Sequence, residues 1–167
     1  EALRLLDAET GKYIQARDYR IIRNRNFLIV TPSTPKESTH ILIEEEHSSS
    51  IVTPEFSITV KKAGSADNDR IKSLDKHEIC VDSGKLRFPL VLRPWKTGDY
   101  FYPFGMNRKK KKVSRFLIEQ KVSLHEKEKI WVLESDKKIV WVIGMRPDDR
   151  FRISENTKSC CYFSMKK

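Results

Sequence analysis

Glycine and cysteine are scarce in this chain, and each scarcity excludes something. The six glycines (11, 64, 84, 98, 105 and 144) are never adjacent or closely spaced, so no Gly-rich phosphate-binding loop can be built from them. Three cysteines, two of them neighbours (Cys160 and Cys161), cannot form a disulfide framework and point to a reducing, cytoplasmic setting. No CxxC or HxxxH pair is present, which argues against a structural zinc site. His40, His47, His77 and His125 are scattered among charged neighbours and read as ordinary surface or core histidines. The longest uncharged apolar run, Ile139 to Met145, is far short of the about 20 residues of a membrane helix. The chain opens on Glu1, in a charged stretch with no apolar signal region, and we expect it to be a piece of something longer.

Charge of one sign is in excess, and only in one half. The 33 Lys+Arg against 23 Asp+Glu give a net +10. Residues 1–84 hold 12 basic and 14 acidic side chains, and residues 85–167 hold 21 and 9, so the halves carry −2 and +12. Such asymmetry points to a polyanionic partner, nucleic acid before membrane.

The hydrophobic pattern predicts mostly strands. Residues 1–12 look like the end of a preceding linker helix, broken at Gly11. Tyr19–Arg23 and Phe27–Val30 flank Asn24-Arg25-Asn26, a hairpin signal. A loop is expected at Pro32–Ser38, strands at His40–Glu44, Ser57–Lys61 and Glu78–Asp82, and a turn or short helix at Ile71–Leu74. Leu86–Leu92 reads as an edge or bulged strand because of Pro89. Val113, Phe116, Leu117 and Gln120 recur at helical spacing, and Ser123-x-x-Glu126 is a capping box that starts a second helix. Ile130–Leu133 and Lys138–Ile143 are strands around a Ser135-Asp136-Lys137 turn. Phe151–Ile153 and Cys160–Ser164 close the chain as strands, with one of the paired cysteines buried and the other facing out. The expected fold class is α+β: mostly antiparallel β layers with one main amphipathic helix packed on them. The expected units are residues 1–12, a β-rich subdomain at 13–84 and a second at 85–167.

Five consecutive cations, Arg108 to Lys112, stand directly before the amphipathic helix. A helix N-terminus already carries partial positive charge, so cations there suit an external anion such as phosphate; the bland alternative is a solvated lysine loop. Upstream lie Trp95, Tyr100, Phe101, Tyr102 and Phe104, which suit base stacking or, for Phe101 and Phe104, core packing.

Three blocks, RPWKTGDYFYPFG (93–105), KKVSRFLIEQKV (111–122) and IVWVIGMRPDDRF (139–151), resemble the C-terminal domain of the tRNA(Ile)-lysidine synthetase family. The matching positions are Arg93-Pro94, Gly98-Asp99, Phe101, Pro103, Gly105, Lys111-Lys112, Ser114, Trp141-Val142, Gly144 and Arg146. Ser123 stands where the family often has proline, and the lysine run is longer than usual. The resemblance implies a β-layer domain similar to one in phenylalanyl-tRNA synthetase, which grips the tRNA at its acceptor stem. It implies a full-length enzyme that uses ATP with magnesium to attach lysine to the wobble cytidine of an isoleucine tRNA. That chemistry belongs to an N-terminal adenylating domain whose Ser-Gly-Gly-x-Asp-Ser loop is absent from this sequence.

These readings converge on a non-catalytic tRNA-binding module with no cofactor or metal of its own. Its other partner is the enzyme's own N-terminal catalytic domain, and a homodimer is compatible with the sequence. The alternative is a protein-interaction β module. The residues expected on one tRNA-facing surface are Arg93, Lys96, Lys111, Lys112, Ser114, Arg115, Arg146 and Arg150. Arg150 has an alternative partner in Asp148 or Asp149, and Arg93 in Asp99.

Overall fold

The computed structural model describes residues 2–15, 17–32, 40–45 and 48–167. The loop expected at Pro32–Ser38 falls on residues 33–39, outside the described residues apart from its first position, and so does His47.

The chain begins with a 3-10 turn, Ala2–Leu5, followed by the antiparallel meander β1 (Tyr13–Gln15), β2 (Tyr19–Asn24) and β3 (Phe27–Pro32). The tight turn after Asn24 places Arg25 at φ 53°. Ile22 and Leu5 are buried between the meander and the turn.

Two larger sheets form the body. Strands β4 (Ile41–Ile43), β5 (Ser48–Val52), β6 (Ser57–Ala63) and β7 (Glu78–Asp82) come first, with helix α1 (Asn68–Ser73) between the last two. Strands β8 (Leu90–Pro94), β9 (Tyr100–Phe101) and β10 (Lys111–Lys112) lead into helices α2 (Val113–Glu119) and α3 (Leu124–Lys127). Then follow β11 (Trp131–Ser135), β12 (Lys138–Val142), β13 (Arg146–Pro147) and β14 (Cys160–Lys166). One sheet runs β13-β12-β11-β8-β4 and the other β5-β6-β14-β7, while β9 and β10 pair separately; every pairing is antiparallel. The α+β class follows directly. No helix among the described residues is long and apolar enough to cross a membrane.

The two sheets enclose the main core. Leu90, Leu92, Leu133 and Trp141 come from one, and Ile58, Val60, Val81 and Phe163 from the other. Helix α2 covers the opposite face of the five-stranded sheet, burying Val113, Phe116 and Leu117 against Phe101, Val132, Ile139 and Val142. The helix thus packs on β12, the strand that carries Trp141, through Ile139 and Val142, while Trp141 and Ile143 themselves belong to the inter-sheet core. Val140 explains the division: Leu133 pairs with Trp141 but Glu134 with Ile139, so Val140 is an extra bulge residue and shifts the facing of its neighbours.

Several expectations need correcting. Strand β8 starts after Pro89 and lies between β11 and β4, so it is an interior strand; the proline's missing N–H falls outside the ladder. Residues 149–151 form a 3-10 turn, capped by the Asp148 side chain accepting from Arg150 N, rather than a strand. Strand β5, rich in serine, carries no strong apolar alternation and escaped the sequence reading. Cys160 and Cys161 are both buried, because β14 is an inner strand covered on both faces. Cys161 faces the inter-sheet core, while the Cys160 thiol donates to Ser65 O and Arg70 lies over the neighbouring Tyr162 ring, 4.1 Å from its centroid. Strand β4 pairs with β8, and β6 and β7 pair with β14, so residues from both sides of position 84 share the two main sheets.

Candidate nucleic-acid interface

Strand β9 and the chain after it are pinned to the 147–149 segment by backbone bonds on both sides. Phe104 N donates to Pro147 O at 2.9 Å and Asp149 N to Tyr102 O at 2.7 Å. Tyr102 N donates to Asp148 Oδ2 at 2.9 Å. The result is a rigid platform from which Tyr100, Phe104 and the cations around them project.

Two buried aspartates organise those cations. Asp148, 1% exposed, accepts from Arg150 through N, Nε and Nη2 at 2.8, 2.9 and 2.8 Å. Burial alone would lower the Arg150 pKa, but its bonds and charge pairing with Asp148 more than offset this and raise it. The guanidinium lies over the Tyr102 ring at 4.6 Å from its centroid. Tyr102 meets Tyr100 edge to face at 6.3 Å, and Lys110 Nζ sits 3.8 Å over Tyr100. Cation, ring, ring and cation thus follow one another along one surface. Asp149 is also buried and holds Arg108 Nε at 3.0 Å and Arg152 Nη1 at 3.7 Å, both side chains remaining largely exposed. Acids inside and guanidiniums outside leave the surface cationic while satisfying the buried carboxylates.

The eight residues singled out from the sequence divide. Arg150 belongs to the stacked surface, held by the Asp148 partner anticipated for it. Arg146, half-buried, donates to Phe104 O at 3.3 Å and flanks it. Lys96 and Lys112 are exposed. Arg115 projects from α2 with its side chain 71% exposed, 3.5 Å from Glu119. Lys111 pairs with Glu119, and that hydrogen bond holds the Glu119 carboxyl below its usual pKa. Ser114 is half-buried in the first turn of α2. Lys112 occupies the N-cap position without a side-chain cap bond, and α2 has only seven residues, so its N-terminus by itself makes no anion site.

Arg93 must be withdrawn from the surface. It is 4% exposed, with two bonds to Asp99, two to Glu134 and one to Pro94 O. Desolvation works to lower its pKa, and the hydrogen bonds to Asp99 and Glu134 overcome it and raise it. Its role is structural: Asp99 in turn accepts from Lys96 N at 2.8 Å and gives its carbonyl to Val113 N at 2.9 Å, which ties the 95–99 turn to the start of α2.

Sequence reasoning missed Arg152 and the individual parts of Arg108 and Lys110. Tyr100 and Tyr102, a few residues upstream of the cation run, were the available signal. Phe101 is fully buried, as core packing requires, whereas Phe104 is 48% exposed. No group of three or more His, Cys, Asp or Glu among the described residues is arranged to hold a metal ion.

Comparison with known proteins bears on this surface. Residues 90–163 match a family described as TilS substrate C-terminal domain, and residues 1–33 one described as TilS substrate binding domain. The tRNA(Ile)-lysidine synthase of Bacteroides thetaiotaomicron is 36% identical over 156 residues, covering 92% of this chain and 32% of that protein. That of Parabacteroides distasonis is 38% identical over 153 residues, covering 92% and 34%. The chain thus spans about a third of the length of these relatives. A crystal structure of a TILS C-terminal domain superposes with a TM-score of 0.64 at 18% identity, covering 77% of this chain and 97% of that one, so the fold is shared. Matched at both ends by these families and along most of its length by these relatives, the chain belongs to the tRNA(Ile)-lysidine synthase family, with residues 90–163 as its C-terminal domain.

Proposed function

We propose that this chain is the tRNA-binding portion of a cytoplasmic ligase and grips the acceptor stem of an isoleucine tRNA. The longer protein joins lysine to the wobble cytidine of that tRNA at the expense of ATP with magnesium. That reaction belongs to a catalytic domain beyond these residues, and this portion alone performs none of it. The observation that carries the reading is the Lys110–Tyr100–Tyr102–Arg150 surface backed by Asp148. Cations there neutralise phosphates and the rings offer flat faces to sugars or exposed bases.

The charges also work as a group. Arg108, Lys109, Lys110 and Arg152 are all exposed residues around the same platform. Each phosphate they neutralise releases counterions, so affinity falls steeply with salt. A second reading, a protein-docking β module, is favoured by the meander, where Tyr19, Val30 and Phe27 are 54%, 62% and 70% exposed.

Titration of isoleucine tRNA against the chain at several salt concentrations tests the first reading. Steep salt dependence, weakened by Tyr100→Ala and Lys110→Ala together, supports it. Absence of binding at low salt overturns it and leaves the docking module.

A further inference from the structure

A cleft of ≈ 280 Å³ lies beside the cationic surface, between α1 and the 147–153 segment. Its walls are mostly apolar, with Ile71, Leu74, Ile79, Pro147 and Phe104 among them. Next to it is a second hollow of ≈ 330 Å³ lined by Arg108, Asp149 and Arg152, and Phe104 and Arg152 line both. Phe104 is therefore the wall between an apolar cleft and a cationic one. Its backbone is fixed on both sides, by Pro147 O and by Arg146, while its ring stays half exposed. A backbone fixed at the mouth of a cleft has been ordered before any ligand arrives, which lowers the cost of placing the ring against one.

Cations cluster on one side of this wall. Arg108 lines only the second hollow and Arg152 borders both, with side chains 72% and 51% exposed, both leaning on Asp149. The cleft is also lined by the carboxylates of half-buried Glu78 and exposed Asp75, which accept from Ser164 Oγ at 2.6 Å and from His77 N at 2.6 Å. Asp148, also in the wall, is saturated by Arg150 and Tyr102 N. Glu78 and Asp75 each keep acceptor capacity beyond the single bond they make. An anion is attracted to the edge held by Arg108 and Arg152 and disfavoured beside Glu78 and Asp75. A flat ring with an amine is accepted by the interior. The volume suits one ring system and is below the range of sites for larger ligands.

The geometry points to a site for one unpaired nucleotide at the margin of an RNA helix, its base in the cleft against Phe104 and its phosphate at Arg108 and Arg152. The inference rests on the RNA-binding reading and adds to it a single-stranded element with a preference. Adenine and cytosine present an exocyclic amine to Glu78 and Asp75, whereas uracil presents carbonyl oxygens on either side of one N–H. The nucleotide comes either from a 3′ or from a 5′ extension of the helix.

Three RNA hairpins of identical stem test the site: one blunt, one with a 3′ adenosine overhang and one with a 5′ adenosine overhang. Binding to the wild-type chain and to Phe104→Ala is compared, with melting curves to verify folding. One overhang is expected to tighten binding by about tenfold, the order that base–aromatic stacking supplies. The better arm identifies the source. The gain should vanish in Phe104→Ala, persist in Phe104→Tyr and shrink when uridine replaces adenosine. Equal binding of all three hairpins overturns the nucleotide site and leaves the RNA-binding reading intact. A gain that survives Phe104→Ala overturns the site as well, and a failure of every hairpin to bind overturns both.

Discussion

Arg93 and Asp99 meet through two parallel hydrogen bonds, Nη1 to Oδ2 and Nη2 to Oδ1, each 2.9 Å long and shielded from water. Glu134 closes the third edge of the guanidinium. Two carboxylates thus surround one cation, and the 95–99 turn is fixed before α2 begins. Removing the cation leaves a buried acid unpaired. Arg93→Ala should destabilise the fold by about 3–5 kcal/mol, read as a shift in the urea midpoint. A shift under about 1 kcal/mol, the range of surface pairs, would place Arg93 back in solvent.

Phe116 is 3% exposed and meets Phe101 edge to face at 5.1 Å. Phe116→Ala should cost about 3–5 kcal/mol. Ile118, on the same helix but 54% exposed, is the control, and Ile118→Ala should change stability by about 0.5 kcal/mol or less. Thermal or urea melts of the two variants check the register of α2, and equal losses contradict it.

Neighbouring lysines should differ in their effect on RNA. Lys110 is exposed over Tyr100, whereas Lys111 is paired with Glu119 and its side chain is only 16% exposed. Lys109→Ala with Lys110→Ala should reduce the salt slope of tRNA binding by roughly 1.5–2, because about two counterions are no longer released. Lys111→Ala should reduce it by less than half as much. Equal effects would show that Lys111 leaves Glu119 when RNA binds.

Burial pushes the Cys161 thiol up to about 12, and Cys80, opposite Tyr162 on β7, to about 12 for the same leading reason. In the unfolded chain these thiols ionise near pH 9, the ordinary value. The folded state keeps its protons longer. Stability from these groups is therefore complete below about pH 9 and is lost as pH rises toward about 12. Urea unfolding of wild type and Cys161→Ala from neutral pH upward should show the gap between them changing only on the alkaline side. A gap constant with pH removes Cys161 as a contributor.

The β layers, the hairpin at Arg25 and the capping box at Ser123 were legible because each depends on neighbours in sequence. Ser123 Oγ does accept from Glu126 N, and the Glu126 carboxylate from Ser123 N at 3.0 Å. The pairing of β14 between β6 and β7 was not legible, since strand order depends on contacts distant along the chain. The candidate surface was half legible. Its composition, rings beside cations, was visible, but which arginine faces inward was not. Arg93 and Arg150 each precede or follow an aspartate at short range; only the packing of Glu134 behind Arg93 and the half-buried Tyr102 ring under Arg150 separate the two roles.

Strand β14 has a consequence for synthesis on the ribosome. Its neighbours β6 and β7 emerge early, yet the strand that joins them extends to Lys166. Between Asp82 and Cys160 the ribosome needs roughly 4–16 s at about 5–20 residues per second. Throughout that interval Ile58, Val60, Ile79 and Val81 have no partner strand between them, and two open edges are available to any other nascent β-strand. The four-stranded sheet is thus the last to close, after the five-stranded one has all its strands, so a polypeptide stalled before Cys160 offers the cell's quality-control machinery an unclosed sheet over half of the main core.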